Sequence, residues 1–166
     1  MSPHTLRQRG TKILLFWLIA GLVVLIDQAT KTAIRFMSPE TGPMGTLIPG
    51  VIDLVHVENT GAAFSMGEGS GGLFVVIAIA VSIFALIFVC REDLPLSLII
   101  SIACVVGGGL GNMIDRIMRG SVTDFLSTAF MDFPVFNVAD IAVTCGIVIS
   151  LIGYLMWERS LSTEER

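Results

Sequence analysis

The amino-acid sequence predicts a membrane protein that is mainly α-helical, with four transmembrane helices and a small extracytoplasmic cradle rich in β-structure. Of its 166 residues, 54% are hydrophobic and only 14% are charged. An ordinary soluble domain carries about 25% charged residues, so a water-soluble globule is excluded. The mean hydropathy of +0.84 and four long segments without charged residues complete the pattern of a multi-pass membrane protein.

The four segments free of Asp, Glu, Lys and Arg are residues 13–26, 71–90, 94–114 and 141–157. A helix needs about 20 mostly apolar residues to cross the hydrocarbon core, so the second and third segments suffice by themselves. The fourth reaches this length by starting at residue 139. We therefore predict a single integral membrane domain over residues 1–166. Its spans lie at about 13–36, 71–90, 94–114 and 139–157, and its extracytoplasmic segments are 37–70 and 115–138.

The first span has to continue past Asp27 to reach full length. This is possible because Asp27, Lys31 and Arg35 are four residues apart and share one helix face, where an acid before a base is mildly favourable. The basic residues before this span are also typical of a secretory signal peptide. No small-residue cleavage site follows, so a retained first span is the favoured interpretation.

Four spans place both termini on the same side of the membrane. Short segments on that side carry more bases than those on the other side, which by the positive-inside rule places the termini in the cytoplasm. The ends of the spans then gather many polar residues on the extracytoplasmic side. Because such groups near the bilayer cost free energy unless paired or facing a protected cavity, we expect a functional site there. These residues are Asp27, Glu58, Asn59, Asn112, Asp115, Arg116, Asp124, Asn137 and Asp140.

The extracytoplasmic segments have features of β-structure. Residues 38–50 are rich in proline and glycine, which excludes a long helix. Residues 51–57 and 121–125 have the composition of short strands, and residues 67–72 form a glycine-rich hinge. Phe130, Phe133 and Phe136 are interpreted as an aromatic belt at the membrane interface, with a ligand-binding role as the alternative.

Several function classes find no support in the composition. The net charge of −4 provides no basic surface for nucleic acid. Histidine occurs only at positions 4 and 56, so we expect no metal site and no cofactor, and His56 is a bystander in its strand rather than a base. Cys90, Cys104 and Cys145 lie in apolar runs and are predicted to be small buried hydrophobic residues.

Hydrolysis beside a bilayer needs a base to activate water and an acid for the leaving group. Two carboxylates that share one proton can supply both, because two like charges close together cannot both ionise. Asp27 is followed by Lys31 and Asp115 by Arg116, and these cations keep both acids charged and structural. Asp124 and Asp140 have no base near them in sequence, which weakly favours this pair as the catalytic acids.

A second catalytic mechanism remains open. Ser65 with Lys31 would form a serine–lysine hydrolase if the lysine were desolvated into a base.

Gly107 and Gly111 have a spacing typical of close helix packing in membranes. A phosphate-binding loop is disfavoured there, because neither a Gly-Lys-Ser/Thr pattern nor a preceding strand is present.

Five blocks of sequence, in order from the first span to the fourth, resemble the family of lipoprotein signal peptidase (signal peptidase II), a bacterial aspartic protease. They are Asp27-Gln28-x-x-Lys31, Asn59-Thr60-Gly61-Ala62-Ala63-Phe64-Ser65, Gly108-Gly109-x-Gly111-Asn112-x-x-Asp115-Arg116, Val122-x-Asp124-Phe125 and Phe136-Asn137-x-Ala139-Asp140. The resemblance implies that Asp124 and Asp140 are the catalytic dyad. The substrate-binding and supporting residues that it implies are Asp27, Lys31, Asn59, Gly61, Asn112, Asp115, Arg116 and Asn137.

The resemblance also implies a substrate and a location. The substrate would be a prolipoprotein whose cysteine already carries diacylglycerol, cut just before that cysteine at the extracytoplasmic face of the bacterial inner membrane. Membrane lipid would be a second partner, and the peptide antibiotic globomycin an inhibitor. Ile141 departs from the family pattern, in which a small polar residue is expected after the second aspartate.

Two non-enzymatic functions are kept as rivals. In a proton- or ion-translocating membrane protein, the buried carboxylates and Lys31 would carry the charge. This accounts for the acids but not for the asparagines beside them. An adaptor or assembly factor is the third possibility.

Overall fold

In a computed structural model of the chain, the structure describes residues 3–61 and 71–164, with the side chains of 10–61 and 71–159. Four long helices and three strands follow one another in this part of the chain. Each helix is long and apolar enough to cross a membrane, so the structure confirms the predicted fold class. The elements are α1 (Pro3–Met37), β1 (Gly42–Ile48), β2 (Ile52–Asn59), α2 (Gly71–Arg91), α3 (Leu96–Arg119), β3 (Val122–Thr128) and α4 (Val138–Glu164).

Helix α3 is the centre of the bundle and packs against α1, α2 and α4. Its glycines allow this close approach. A Cβ atom on Gly107 would lie 2.7 Å from the carbonyl oxygen of Ala20 in α1, and one on Gly111 would lie 2.5 Å from a carboxylate oxygen of Asp27. A Cβ on Gly108 would collide with the backbone of Ala139 in α4. The predicted role of this glycine spacing in helix packing is confirmed.

The buried core lies in the half of the bundle away from the sheet. It is built from apolar side chains of α1, α2 and α3, among them Phe16, Val89 and Ile99. Large apolar side chains on the outer faces of the helices remain exposed, including Leu22, Phe84 and Leu151. Apolar surface of this extent is stable against lipid rather than water.

The three cysteines are free, but none is buried as predicted. Cys90 and Cys104 are half-buried and Cys145 is exposed. The prediction was wrong because an apolar residue in a membrane helix does not have to be buried inside the protein; lipid provides an equally apolar surrounding.

The three strands form one antiparallel sheet in the order β1-β2-β3. The two predicted strands are present as β2 and β3. Strand β1 was missed by the sequence analysis, because its glycines and prolines are typical of loops. Two register shifts in its pairing with β2 accommodate these residues, so it is an irregular edge strand.

The sheet lies at one end of the bundle, which we call the polar end. There the last turns of α1 and α3 meet the first turns of α2 and α4. Helix α3 ends because Gly120 adopts a left-handed backbone (φ 79°) and donates its N–H to the Arg116 carbonyl at 3.0 Å. This turn leads directly into β3. Of the predicted hinge, residues 67–70 lie outside the described residues, and residues 71 and 72 begin α2.

Candidate active site

The buried polar side chains converge at the polar end of the bundle. Asp27 and Lys31 in α1 are fully buried against Asp115 in α3, which is 1% exposed. The Lys31 Nζ lies 2.9 Å from Asp27 Oδ2 and 3.1 Å from Asp115 Oδ2. Arg35, one turn further along α1, lies 3.8 Å from Asp115 Oδ1. The shared helix face predicted for Asp27, Lys31 and Arg35 is therefore present and carries a buried ion cluster.

Asp27 also fixes the start of α4. Its Oδ1 accepts a hydrogen bond from the backbone N–H of Ala139 at 3.0 Å, one of the N–H groups that a helix start leaves without a partner. Gln28 supports this arrangement. Its Nε2 donates to Asp27 Oδ2, to the Gly111 carbonyl and to Asp115 Oδ1 at 3.2, 3.0 and 3.3 Å. Gln28 was not predicted as a site residue, although it directly follows Asp27.

Asn137 and Asp140 begin α4 with reciprocal hydrogen bonds. The Asn137 side-chain oxygen accepts the Asp140 N–H at 3.0 Å, and Asp140 Oδ2 accepts the Asn137 N–H at 3.0 Å. This is a capping box, in which the residue before the helix and the third helical residue satisfy each other's backbone groups. The carboxylate of Asp140 is thereby held at the N-terminal end of the helix, where the helix dipole stabilises negative charge.

Two asparagine amides connect the ion cluster to Asp124 and Asp140. Lys31 Nζ donates to Asn112 Oδ1 at 2.7 Å, and Asn112 Nδ2 donates to Asp140 Oδ1 at 2.8 Å. The Nδ2 of buried Asn137 donates both to Asn112 Oδ1 at 3.1 Å and to Asp124 Oδ1 at 2.6 Å. The same asparagine therefore touches both aspartates, through its side chain and its backbone.

Asp124 lies in β3 and is 2% exposed. Asn59, on the neighbouring strand β2, donates its Nδ2 to Asp124 Oδ2 at 2.9 Å. Burial raises the pKa of Asp124 to about 6, and the charge of Asp140 adds to this rise. The hydrogen bonds from Asn59 and Asn137 favour the ionised form and oppose the rise.

Asp124 and Asp140 line one cavity of about 470 Å³. Polar residues of the lining are hydrogen-bonded to one another, and the remaining lining is mostly apolar. The lining comprises Asn59, Asn112, Arg116, Val122, Asp124, Phe133, Pro134, Val135, Phe136, Asp140, Ile141, Val143, Thr144 and Cys145.

Phe133 and Phe136 belong to this cavity, with their rings 5.9 Å apart in an edge-to-face arrangement. Phe130 is 66% exposed and Phe133 is 46% exposed, so the aromatic belt stays a prediction. Phe136 exchanges hydrogen bonds with Leu126 of β3, so residues 133–136 fold back over the strand.

Arg116 forms no ion pair with Asp115, contrary to the prediction from their adjacency in sequence. Its Nη2 donates to the Gly61 carbonyl at 2.9 Å, and its guanidinium lies 4.9 Å from the centre of the Phe74 ring. Consecutive residues of a helix point in different directions, so Asp115 faces Lys31 and Arg35 instead. The buried Arg116 Nε has no partner within residues 10–61 and 71–159.

Gly61 completes the contact between β2 and α3. Its N–H donates to Asn59 Oδ1 at 2.9 Å, while its carbonyl accepts from Arg116. Asn59 therefore bonds to Gly61 through its oxygen and to Asp124 through its nitrogen. All ten predicted site residues thus lie in one connected network at the polar end.

A second polar cluster occupies the other face of the sheet. Glu58 accepts hydrogen bonds from Ser121 Oγ at 2.5 Å and from Thr123 Oγ1 at 2.9 Å. Buried His56 lies 3.1 Å from Glu58 through Nε2 and 2.7 Å from the Ser38 carbonyl through Nδ1. His56 does not line the cavity, which agrees with its interpretation as a bystander.

The alternative hydrolase site would combine Ser65 with Lys31. Ser65 lies outside the described residues, as do Ala62, Ala63 and Phe64. The Lys31 Nζ is surrounded by two carboxylates and an amide oxygen, so it is engaged in the ion cluster. Within the described part of the chain, no three His, Cys, Asp or Glu side chains are placed to hold a metal ion.

Comparison with known proteins places the chain in a family. The model of the family described as signal peptidase (SPase) II matches residues 19–156. The chain is 35% identical to the lipoprotein signal peptidase of Enterococcus faecalis, covering 89% of this chain and 92% of that protein. It is 40% identical to the lipoprotein signal peptidase of Thermosynechococcus vestitus, with 82% and 89% covered.

A solved structure gives the same result at the level of the fold. It is described as a bacterial membrane enzyme determined by the in meso method at 2.3 Å, and it superposes with a TM-score of 0.77 at 34% identity. The match covers 89% of this chain and 88% of that one. The family match, the relatives and the shared fold lead to one conclusion: the chain is a multi-pass membrane peptidase that belongs to the signal peptidase II family.

Proposed function

We propose that this peptidase removes the signal peptide from prolipoproteins whose cysteine carries diacylglycerol, cutting the bond just before that cysteine. The relatives named lipoprotein signal peptidase support the substrate class. The cavity supports it as well, because it combines the two aspartates with an apolar lining that includes residues of α4. An apolar signal helix would lie beside α4 while its lipid chains remain in the bilayer.

The observation that carries the proposal is that Asp124 and Asp140 face one cavity and share the ligand Asn137. They come from different elements, the strand β3 and the first turn of α4, which brings two acids to one point. Each of their four carboxylate oxygens accepts a hydrogen bond from an amide. Such fixed acids can act on one water molecule and one peptide bond.

The charges around the site support a single shared proton. Four carboxylates (Asp27, Asp115, Asp124 and Asp140) face three cations (Lys31, Arg35 and Arg116), which leaves one negative charge uncompensated. Uncompensated charge near a bilayer is costly, and one proton on the dyad removes it. Asp124 is the better proton carrier because its pKa is raised to about 6. Asp140 is assigned the role of the ionised partner because it lies in the first turn of α4, where the helix dipole favours negative charge.

The reaction then follows from these positions. Ionised Asp140 takes a proton from water as the water oxygen bonds to the scissile carbonyl carbon, and protonated Asp124 donates its proton to the carbonyl oxygen. The tetrahedral intermediate collapses when the C–N bond breaks. The leaving nitrogen takes the proton from Asp140, and Asp124 recovers its proton from the hydroxyl that becomes the new carboxyl group.

The supporting residues have distinct tasks in this scheme. Lys31, Asp27 and Asp115 hold α1, α3 and α4 together beneath the dyad. Asn59, Asn112 and Asn137 orient the two carboxylates. Arg116 lines the cavity and ties α3 to Gly61 at the end of β2 through its Nη2.

The proposed orientation places the polar end on the extracytoplasmic face of the bacterial inner membrane and both termini in the cytoplasm. The excess of basic residues near the termini supports it. Globomycin is proposed as an inhibitor that occupies the substrate cavity.

A role in ion translocation is disfavoured. The buried ionisable groups of the described spans collect at the polar end, whereas the core cluster in the other half consists of apolar side chains. A conducting path needs polar groups along the whole span.

The test uses two matched peptides, a prolipoprotein with diacylglycerol on its cysteine and the same sequence without it. The purified protein in detergent is expected to cut the lipidated peptide just before the cysteine, as shown by the masses of both fragments. Cleavage of neither peptide by folded protein, or cleavage at another bond, would overturn the proposal.

A further inference from the structure

Glu58 links the two strands that carry the site. It is next to Asn59 in β2, and in a strand neighbouring side chains point to opposite faces. Asn59 reaches Asp124 on the cavity side, whereas Glu58 accepts hydrogen bonds from Ser121 and Thr123 on the other side. Glu58 pairs with Thr123 in the ladder, and Val57 with Asp124. The Asn59 contact and the Glu58 contacts therefore lie on opposite faces of the sheet, between the same two segments of chain.

The hydrogen bonds of Glu58 lie where the pairing of β2 with β3 is irregular. The pairing of β2 with β3 shifts between Leu54 and Val57, so one strand has an extra residue next to the site. A slip by one residue would turn every side chain to the opposite face and would take the Asn59 amide away from Asp124. Glu58 lies just after this shift and bonds to residues on both sides of Val122.

The same link reaches the buried ion cluster. Thr123 Oγ1 accepts a hydrogen bond from Arg35 Nη1 at 2.9 Å, and the Thr123 N–H donates to Asp115 Oδ2 at 3.4 Å. Among the residues that the structure describes, the charged or titratable groups that interact with Glu58 are His56 on its own strand and Arg35 from α1. Burial alone would raise the pKa of Glu58, but the hydrogen bonds from Ser121, His56 and Thr123 outweigh it and lower the pKa. Glu58 is therefore an ionised acceptor at neutral pH.

We infer that Glu58 is a positioning residue for the cleavage reaction. Its hydrogen bonds with Ser121 and Thr123 hold β2 and β3 in the register in which the Asn59 amide reaches Asp124. Glu58 is not among the residues that line the cavity, so it would act through other residues. The inference rests on the proposed catalytic role of Asp124.

A double-mutant cycle tests it. Glu58→Ala is expected to lower kcat about ten- to a hundredfold, as small misplacements of catalytic groups do. It should also move the alkaline limb of the pH–rate profile upward, in the same direction as Asn59→Ala. In the Asn59→Ala background, Glu58→Ala should add less than about twofold, because the contact through which it acts is already gone.

Asp53→Ala is the matched control. Asp53 is also an acid of β2 that accepts from a hydroxyl, Thr46 Oγ1 at 2.7 Å, but it pairs with Ser127, away from Asp124. It should leave kcat and the pH profile unchanged. Where Glu58→Ala fails to fold, Ser121→Ala removes one of the same hydrogen bonds and should give a smaller change in the same direction.

The inference fails if folded Glu58→Ala keeps the wild-type kcat and pH profile, or if its effect is equally large with and without Asn59. Failure of the proposed function looks different. In that case Asp124→Asn would still cleave the substrate, whatever Glu58→Ala does.

Discussion

At the residue scale, the two catalytic candidates receive their hydrogen bonds from amides rather than from cations. Asn59, Asn112 and Asn137 each donate to Asp124 or Asp140, whereas Lys31 contacts Asn112 instead of either acid. An amide orients a carboxylate without cancelling its charge. The charge of Asp140 therefore continues to act on Asp124, and their mutual repulsion favours one proton on the pair.

This arrangement predicts a pH dependence. Asp124 is protonated below its pKa of about 6, so cleavage should decline as the pH rises through this value and the general acid is lost. Asn59→Ala removes a hydrogen bond to the ionised form, which raises the pKa. The alkaline limb of kcat/KM should move up by about one unit, equivalent to a charged hydrogen bond of about 1.5 kcal/mol. A limb that stays in place or moves down would contradict this assignment.

The buried ion cluster predicts a large effect on stability. Lys31→Met leaves Asp27 and Asp115 without their shared cation, and breaking a buried pair in this way costs about 3–5 kcal/mol. Denaturant unfolding in detergent measures the loss. Lys12→Met is the matched control, because Lys12 pairs with Asp93, which is 93% exposed, and such surface pairs contribute at most about 1 kcal/mol. Equal losses in the two variants would show that the cluster is not a buried network.

At the scale of elements, the site depends on how closely α1 and α4 approach α3. The glycines of α3 permit this approach, and Asp27 and Asn137 then supply the hydrogen bonds that start α4. The helix contacts and the site are therefore one structure. A change that separates the helices should affect stability and activity together.

Two neighbouring glycines of α3 allow this to be tested. Gly111→Ala places a Cβ 2.5 Å from Asp27 Oδ2 and should cost about 1–3 kcal/mol, as overpacking does. Gly109 has open space around its Cβ position, so Gly109→Ala should be neutral or stabilise the helix by up to about 1 kcal/mol. Thermal unfolding and cleavage rates are the measurements. The packing account is wrong if Gly111→Ala is as stable and active as Gly109→Ala.

The elements also show what the sequence could and could not predict. The helices were predictable because a membrane span needs a long apolar run, and β2 and β3 because of their β-branched residues. Strand β1 was not predictable, since its glycines and prolines form an edge strand only when β2 is present to pair with it. Strand pairing is a contact between distant segments, and local composition does not encode it.

The contacts of the site residues were likewise predictable where they are local in sequence and not where they join distant segments. Asp27 and Lys31 were correctly expected on one face because their contact is local in a helix. The partner predicted for Asp115 was wrong, because Arg116 is adjacent in sequence but bonds to the Gly61 carbonyl instead. Thr123 carried no signal, and Gln28 stood in a family block without an assigned role, because the contacts of both residues arise only when α1, α3 and β3 meet.

At the scale of the whole molecule, the chain has a polar end that holds the chemistry and an apolar half that anchors it. The orientation predicts which end is reachable from outside the cell. In variants lacking the three native cysteines, Glu40→Cys at the polar end should react with a membrane-impermeant maleimide in intact cells. Glu92→Cys, in the connection between α2 and α3, should react only after permeabilisation. Both residues are exposed, so the reverse labelling pattern would show the opposite orientation.

The central claim is that Asp124 and Asp140 together cleave the peptide bond, and replacing each with asparagine tests it most directly. Asparagine keeps the shape and removes the titrating group. With folding confirmed by thermal unfolding, Asp124→Asn and Asp140→Asn should each lower cleavage of a diacylglyceryl-modified prolipoprotein by roughly a thousandfold or more, within or above the range of about 10² to 10⁴ for acid–base catalysis. Asp53→Asn, a matched change outside the cavity, should cleave like wild type. Normal cleavage by either dyad variant would contradict the account.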